Sequence, residues 1–134
     1  MELIPFEHTH LDKITPNAFG KNPRALQSIS NPDCDKYTMV TANGDPLALI
    51  FFCETEPGVY AGFFVVSTEF RASHCVKLRY FVQKLVEEHN AKKVWTASKQ
   101  LPELRHWHEF LGLHKTGEVE VEGETYDVWS MTWE

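Results

Sequence analysis

The apolar residues between positions 37 and 66 cluster in short runs that are typical of β-strands. Tyr37–Ala42 predicts one strand, and Pro46–Cys53, which is almost wholly apolar, predicts a second strand that is covered on both faces. Val59–Val66 is rich in aromatic and β-branched residues and predicts a third. The turn signals Asn43-Gly44 and Pro57-Gly58 separate them, so we expect an antiparallel meander.

The pattern changes to a helical period after position 73. A parallel crossover is expected there, because a strand at Lys93–Ala97 follows a helix that ends near His89-Asn90. The apolar residues that define this helix lie three and four positions apart: Cys75, Leu78, Val82 and Leu85.

A second helix and a hairpin complete the pattern. The helix is marked by Pro102 in its first turn and Gly112 just past its end. Strands at Lys115–Val121 and Thr125–Trp133 follow, joined through Glu122-Gly123-Glu124. The fold class is therefore α/β with a mixed sheet: a meander, a β-α-β crossover and a C-terminal hairpin.

The segment Thr15–Asp35 is the least regular part of the chain. Its three prolines predict loops with at most one short helix, around Arg24–Ser28. No repeat or charge block divides the sequence, so we expect one domain over residues 1–134.

Composition and charge narrow the class of protein. With 43% hydrophobic residues the chain is globular, and a net charge of -6 with scattered basic residues disfavours nucleic acid as a direct ligand. The N-terminus lacks a secretory signal, and the longest apolar run is far shorter than the ~20 residues of a membrane span. We therefore expect a cytoplasmic protein without a membrane segment.

The three cysteines are odd in number, widely separated and free of any C-x-x-C pair. Cys34, Cys53 and Cys75 are therefore expected to be reduced thiols. For Cys75 a buried apolar role is favoured, and a thiolate at a helix N-terminus is the alternative.

The segment between the third strand and the first helix reads Val66-Ser67-Thr68-Glu69-Phe70-Arg71-Ala72-Ser73-His74-Cys75-Val76. It keeps the valine, acid, aromatic residue and arginine of the loop V-x-P-E-Y-R-G-x-G-x-G/A, and so the chain resembles the GNAT acyl-CoA N-acyltransferases. The predicted order of elements and the helix end Phe110-Leu111-Gly112-Leu113 agree, so the resemblance covers roughly Tyr37–Trp133. The chain is also similar, more weakly, to acetyltransferase-like proteins of tailed phages, including small internal virion proteins of podoviruses; this implies host cytoplasm or virion as the location.

The resemblance implies that acetyl-CoA is the cofactor. Three small residues of the loop are Ala72, His74 and Val76 here, so either affinity for the pyrophosphate falls or the loop takes another path. His74 either offers charge to a phosphate or blocks the site. The implied coenzyme-binding residues are Val65, Val66, Arg71, Ala72, Ser73, His74, Cys75 and Val76.

The implied reaction is direct transfer of an acetyl group to a primary amine of a protein or small molecule in a ternary complex, with a general base and a general acid. The family's acid falls on His108, which lies on the apolar stripe of its helix; a hydrogen-bonded core histidine is the alternative. Glu54 is the first choice of base, with a solvated turn residue as its alternative. Glu69, Tyr60 and Tyr126 are weaker candidates.

The alternative function is a non-catalytic GNAT-fold binding or structural protein that has lost coenzyme-A binding, as the altered loop glycines suggest. Two H-x-H pairs, at His8-Thr9-His10 and His106-Trp107-His108, lack further ligands at suitable spacing, so no metal is expected. The exposed edges of the predicted sheet, with Trp129 and Trp133 near the C-terminus, leave room for a homodimer.

Overall fold

The computed structural model of the chain describes residues 1–14 and 31–132. The helix expected at Arg24–Ser28 and the last residue of the final strand, Trp133, lie outside the described residues. The described part contains β1 (Glu2–Pro5), α1 (His8–Lys13), β2 (Cys34–Val40), β3 (Pro46–Glu56), β4 (Val59–Val66), α2 (His74–Glu88), β5 (Lys93–Lys99), α3 (Pro102–Phe110), β6 (His114–Val121) and β7 (Glu124–Thr132).

The strands of the described part form one seven-stranded sheet in the order β1-β2-β3-β4-β5-β7-β6. All neighbours are antiparallel except β4 and β5, which are parallel and joined through α2. The meander, crossover and hairpin predicted from the sequence are therefore confirmed. β1 and α1 were not predicted, because four and six residues are too few to show a period.

The parallel pair β4 and β5 is in contact over only three residue pairs. Val59–Ala61 pairs with Lys93–Trp95, and beyond this point each strand pairs only with its outer neighbour, β3 or β7. We call the space between Gly62–Val66 and Thr96–Lys99 the wedge. It opens toward the C-terminal ends of both strands, which is also the end of the sheet where α2 begins.

Both faces of the sheet are covered. Ile50 and Val66 pack with Leu78 of α2, whereas Phe51 and Val65 pack on the other face with residues that include Ile14, which follows α1. Burying one such side chain contributes about 1.5–3 kcal/mol, so these two clusters hold α2 and α1 against the sheet. The double coverage predicted for β3 is confirmed.

The helices α2 and α3 begin and end close to where the sequence predicts. α3 begins at Pro102, and Gly112 follows its end with φ of 92°, a conformation that glycine adopts without a steric penalty. α2 ends before His89, and Asn90 takes the left-handed conformation with φ of 52°. None of the helices in the described ranges is long and apolar enough to cross a bilayer.

Cys34 and Cys53 face each other across β2 and β3, and their sulfur atoms form a disulfide. The expectation of three reduced thiols was therefore wrong for these two residues. The two positions are 19 residues apart in the sequence, and only the register of the hairpin brings their Cα atoms to 4.0 Å. Cys75 is a free thiol, as expected.

The disulfide predicts a measurable loss of stability on its removal. Replacing both Cys34 and Cys53 by serine should lower the free energy of unfolding by about 3 kcal/mol, because the bond closes a loop that the unfolded chain otherwise leaves open. Cys75→Ser is the control and should change it by less than about 1 kcal/mol. Urea unfolding measures both, and alkylation of three rather than one cysteine in the denatured, unreduced protein would contradict the bond.

Candidate functional site

The wall of the wedge that faces α2 and α3 is built by alternate residues of β4 and β5. Phe64 and Val66 of β4 pack in the cluster under α2. Thr96 of β5 lies opposite Trp129 of β7, which belongs to the same cluster. Because alternate residues of a strand share a face, Ser98 lies on this wall too.

Ser98 is a buried polar residue whose hydroxyl has no partner. It is 7% exposed, and within residues 1–14 and 31–132 its Oγ and the Nε1 of Trp129 are the buried side-chain polar atoms without a hydrogen bond. Leaving such a group unsatisfied costs about 1–3 kcal/mol, and most buried polar groups in proteins are bonded to the protein, to water or to a ligand. The wall of the wedge therefore carries a buried hydroxyl without a hydrogen-bond partner.

Trp107 of α3 bridges the wedge on the same face. Its Nε1 donates a hydrogen bond to the Sγ of Cys75, at 3.1 Å, in the first turn of α2. Its ring meets Phe64 edge-on, with centroids 5.4 Å apart, and Phe70 at 6.3 Å. The indole therefore joins α3 to the first turn of α2 and to β4 on this side of the wedge. The sequence pattern assigns no role to Trp107, and only its place next to His108 draws attention to it.

The loop from Val66 to Val76 takes a path that needs no glycine. Positive φ angles occur in the described part only at Asn90, Glu122 and four glycines outside this loop. The side chains at Ala72, His74 and Val76 are therefore accommodated without backbone strain.

Several backbone N–H groups of the loop donate hydrogen bonds to other residues of the loop. The N–H of Phe70 donates to the carbonyl of Ser67 at 3.0 Å, and the N–H of Cys75 to that of Ala72 at 3.1 Å. The N–H of Glu69 donates to the Ser67 hydroxyl at 3.1 Å. A pyrophosphate therefore finds fewer free N–H groups here than a glycine-rich loop offers.

His74 organises the loop. Its Nδ1 accepts a hydrogen bond from the backbone N–H of Arg71 at 2.9 Å, and its ring lies 5.5 Å from that of Phe70. The hydrogen bond fixes the orientation of the ring against the loop. The positive charge next to the loop is the exposed guanidinium of Arg71.

The crossover brings the implied coenzyme-binding residues to one end of the sheet. Val65 and Val66 are the last two residues of β4, and they face opposite sides. Arg71 to Ser73 lead into α2, whose first turn holds His74, Cys75 and the 65% exposed Val76. These residues are therefore neighbours of the mouth of the wedge.

Glu54 lies at the other end of the sheet. It is opposite Tyr60, the second residue of β4, and the Tyr60 hydroxyl hydrogen-bonds to it; burial first, and then this carboxylate, raise the pKa of Tyr60. His89, at the end of α2, meets Tyr60 edge-on at 5.3 Å. Since the 15 residues of α2 span about 22 Å, Glu54 lies far from the loop, at the end of the sheet where β4 and β5 are still paired. Its role as a general base stays a prediction.

His108 is buried under α3, with 2% of its surface exposed. Its Nδ1 is 2.6 Å from the carbonyl oxygen of Leu104, and because a carbonyl only accepts, this nitrogen carries the proton. Burial lowers the pKa of the imidazole, while the Leu104 bond and the charge of Asp127 act in the opposite direction. A neutral ring of this tautomer has no proton on Nε2 to give, so the structure places a hydrogen-bonded core histidine where an acid was expected.

The H-x-H pairs do not form a metal centre. His10 is buried, with its Nδ1 2.8 Å from the Thr38 hydroxyl, whereas His8 is exposed. His106 is exposed on the side of α3 away from His108. In the described ranges no group of three or more His, Cys, Asp and Glu side chains could hold a metal ion.

Known structures share this architecture. The spermidine/spermine N-acetyltransferase SpeG of Vibrio cholerae matches with a TM-score of 0.67 and 11% identity, over 98% of this chain and 91% of that one. A protein assigned as a phosphinothricin N-acetyltransferase matches at 0.73 and 11%, over 99% and 98%. An acetyltransferase of a ribosomal-protein alanine from Vibrio fischeri matches at 0.65 and 10%, over 92% and 80%.

These likenesses confirm that the chain has the GNAT fold, as its resemblance to that family predicts. Neither a family model nor a curated protein sequence matches the chain. At 10–11% identity the structural likeness extends to the fold alone.

The environment of His108 predicts a pH-dependent stability. Burial lowers the pKa of His108 in the folded state below the ordinary 6.5. As the pH falls below 6.5, the unfolded chain therefore binds more protons than the folded chain, and the free energy of unfolding decreases by up to about 1.4 kcal/mol per pH unit. His108→Phe removes this loss. The variant should be less stable by about 1 kcal/mol above pH 6.5, through the lost Leu104 bond, and the gap should narrow below it.

Urea unfolding one pH unit above and one unit below 6.5 measures the effect. The control is His106→Phe, since His106 is exposed on the same helix and its replacement should leave the pH dependence of stability unchanged. A gap between wild type and His108→Phe that stays constant with pH would contradict a buried neutral His108.

Proposed function

We propose that the protein is an N-acyltransferase that moves an acetyl group from acetyl-CoA to a primary amine of a protein or small molecule, by direct transfer in a ternary complex. The observation that carries the proposal is the wedge between β4 and β5, which lies at the end of the sheet where α2 begins and whose wall includes the buried, unpartnered hydroxyl of Ser98. The N-acetyltransferases among the similar folds support it.

The wedge fits the thioester arm of such a cofactor. Gly62–Val66 leaves β5, so the backbone edge of β4 that is turned to β5 is open to a ligand with amide groups. The phosphates would lie at the start of α2, near the N–H groups of Ala72 and Ser73 and the charge of Arg71. When bound, acetyl-CoA supplies an activated acyl carbonyl.

In this proposal the side chains around the wedge bind and orient the thioester. The Ser98 hydroxyl then donates a hydrogen bond to an oxygen or sulfur atom of the bound thioester. The rings of Phe64 and Trp107, with centroids 5.4 Å apart, form the apolar part of the same wall. His108 fixes the position of α3 through its stack on Trp129, with ring centroids 5.4 Å apart.

A second candidate function is a GNAT-fold binding or structural protein that does not take coenzyme A. Two observations favour it. Trp107 already bridges the wedge between Phe64 and Cys75, and N–H groups of the loop are bonded internally.

Titration with acetyl-CoA separates the two functions. A coenzyme present at a hundred times its dissociation constant should stabilise the protein by about 2.7 kcal/mol, seen as a rise in Tm. Trp107→Ala should bind several-fold more tightly than wild type, since the indole no longer has to move out of the mouth. The absence of a Tm change in both proteins at millimolar coenzyme would overturn the proposal and leave the second candidate.

Replacing Ser98 tests whether the wedge performs the transfer. Ser98→Ala should lower kcat at least tenfold with little loss of stability, because the hydroxyl that it removes has no partner in the protein. Ser130→Ala is the matched control: this buried hydroxyl donates to Thr116, so its loss should cost about 1 kcal/mol of stability and leave kcat unchanged. Release of the coenzyme thiol with spermidine or a lysine peptide reports kcat, and equal rates for both variants would contradict the role of Ser98.

A further inference from the structure

Exposed apolar side chains of α2 and α3 lie together on the outer surface of the protein. In the described ranges four large apolar side chains are exposed, and three of these are on the two helices: Val76 at 65%, Tyr80 at 55% and Phe110 at 41%. Val76 and Tyr80 are four positions apart, so they are neighbours on one side of α2. The guanidinium of Arg79 lies 5.6 Å from the centre of the Phe110 ring and connects α2 to the end of α3. Grouped apolar residues of this kind mark interaction surfaces, unlike single exposed ones.

Cations accompany these apolar side chains. The Nζ of Lys77 lies 5.2 Å from the centre of the Tyr80 ring. The segment Phe70–Val86 contains four basic residues and no acidic residue, although the chain has a net charge of -6. Within residues 1–14 and 31–132, neither Lys77 nor Arg79 belongs to an ion pair. We call this surface the basic patch, and its residues are Val76, Lys77, Arg79, Tyr80 and Phe110.

The acids of the same two helices leave the charge of the basic patch uncompensated. Glu109 is paired with Arg105, Glu103 lies in the first turn of α3, and Glu87 and Glu88 lie at the far end of α2. Arginine, tyrosine and phenylalanine are enriched in protein–protein interfaces, where surfaces of opposite charge meet. The basic patch therefore fits an acidic protein surface.

The hairpin of β6 and β7 carries the opposite charge. From Thr116 to Trp133 the sequence has five acidic residues and no basic residue. Four of these acids are exposed and surround the end of the hairpin, and we call them the acidic hairpin: Glu118, Glu120, Glu122 and Glu124. In the described part of the chain only Glu118 of the four is in an ion pair, with Lys115. Burial first, and then the charges of Glu124 and Glu122, raise the pKa of Tyr126, so these charges are felt across the hairpin.

β6 is also an edge of the sheet formed by the described strands, yet its charges disfavour pairing with a second β6. An antiparallel pairing of two copies about Val119 would place Glu118 of one copy opposite Glu120 of the other. Like charges directly opposite each other destabilise a strand pair, and charged side chains of this kind protect sheet edges. The acidic hairpin is therefore suited to a basic surface, and the basic patch of another copy is such a surface.

We propose that the chain associates with itself through contact between the basic patch of one copy and the acidic hairpin of another. The cations of the patch lie against the carboxylates, and its exposed rings pack on the hairpin, whose Val119 and Val121 are half-buried. Within one copy, no ion pair of the described residues joins the two surfaces, so each is open to a second copy. Because every copy carries both surfaces, two copies can exchange the contact reciprocally. The proposal does not depend on acyl transfer.

Sedimentation velocity of the intact protein without coenzyme tests the association. We expect a sedimentation coefficient that rises with protein concentration. Raising sodium chloride from about 0.05 M to about 1 M should weaken the association at least tenfold, because salt screens exposed charges. A protein that stays monomeric up to millimolar concentration at the lower salt, or an association that salt leaves unchanged, would overturn the proposal.

Charge reversal locates the contact. The patch variant, Lys77→Glu with Arg79→Glu, and the hairpin variant, Glu120→Lys with Glu122→Lys, should each self-associate at least tenfold more weakly than wild type, since each carries two surfaces of the same sign. A mixture of the two variants should associate again, because the acidic patch of one then meets the basic hairpin of the other.

The matched control is Lys92→Glu with Lys93→Glu, which changes the net charge as the patch variant does at exposed positions outside both surfaces. It should associate like wild type. Equal association of wild type and both variants, or two monomeric variants that remain monomeric when mixed, would refute the contact. A failed acetyl-CoA titration has no bearing on this outcome, because no coenzyme is present.

Discussion

The short contact between β4 and β5 is the constraint on which the rest of the molecule depends. Parallel strands joined by a helix normally continue to pair, yet here the pairing ends after Ala61 and Trp95. Beyond this point each strand pairs in the sheet only with its outer neighbour, and the two strands separate. Because β4 leads directly into the loop and α2, the separated strand ends and the helix N-terminus lie at the same end of the sheet.

The loop before α2 and the side chain of Trp107 form hydrogen bonds within the protein beside the opening between β4 and β5. Internal bonds, such as that from the Arg71 N–H to His74, satisfy backbone groups that a glycine-rich loop would leave for phosphate. Trp107 likewise fills, with a bond to Cys75, space between α2 and α3. Both sets of hydrogen bonds stabilise this arrangement of the loop and of Trp107. A ligand that displaced them would have to supply more binding energy than a ligand of a preformed site.

The sequence alone was sufficient for the elements with a clear period or clear punctuation, from β2 to β7, and for the inward direction of His108 on α3. The sequence was insufficient where contacts between distant parts of the chain decide which residues meet. The register of β2 and β3 pairs Cys34 with Cys53, and the antiparallel pairing of β3 with β4 places Glu54 at the opposite end of the sheet from the loop. The position of the proton on Nδ1 of His108 also follows from its hydrogen bond to the Leu104 carbonyl, and the spacing of residues in the sequence does not reveal this bond.

The core under α2 and the loop before α2 share residues. The buried cluster that holds α2 against the sheet, with Leu78 and Leu85 on Ile50, includes Val66 at the start of the loop, and Phe70 of the loop packs against it. With no left-handed residue between Val66 and Val76, the substitutions at the loop's small positions cause no strain. Changes at Ala72 and Val76, which are not part of that cluster, should therefore cost less in folding than changes at Val66 or Phe70. The unpartnered hydroxyl of Ser98 costs stability, and a ligand of the wedge that reached it would remove this cost.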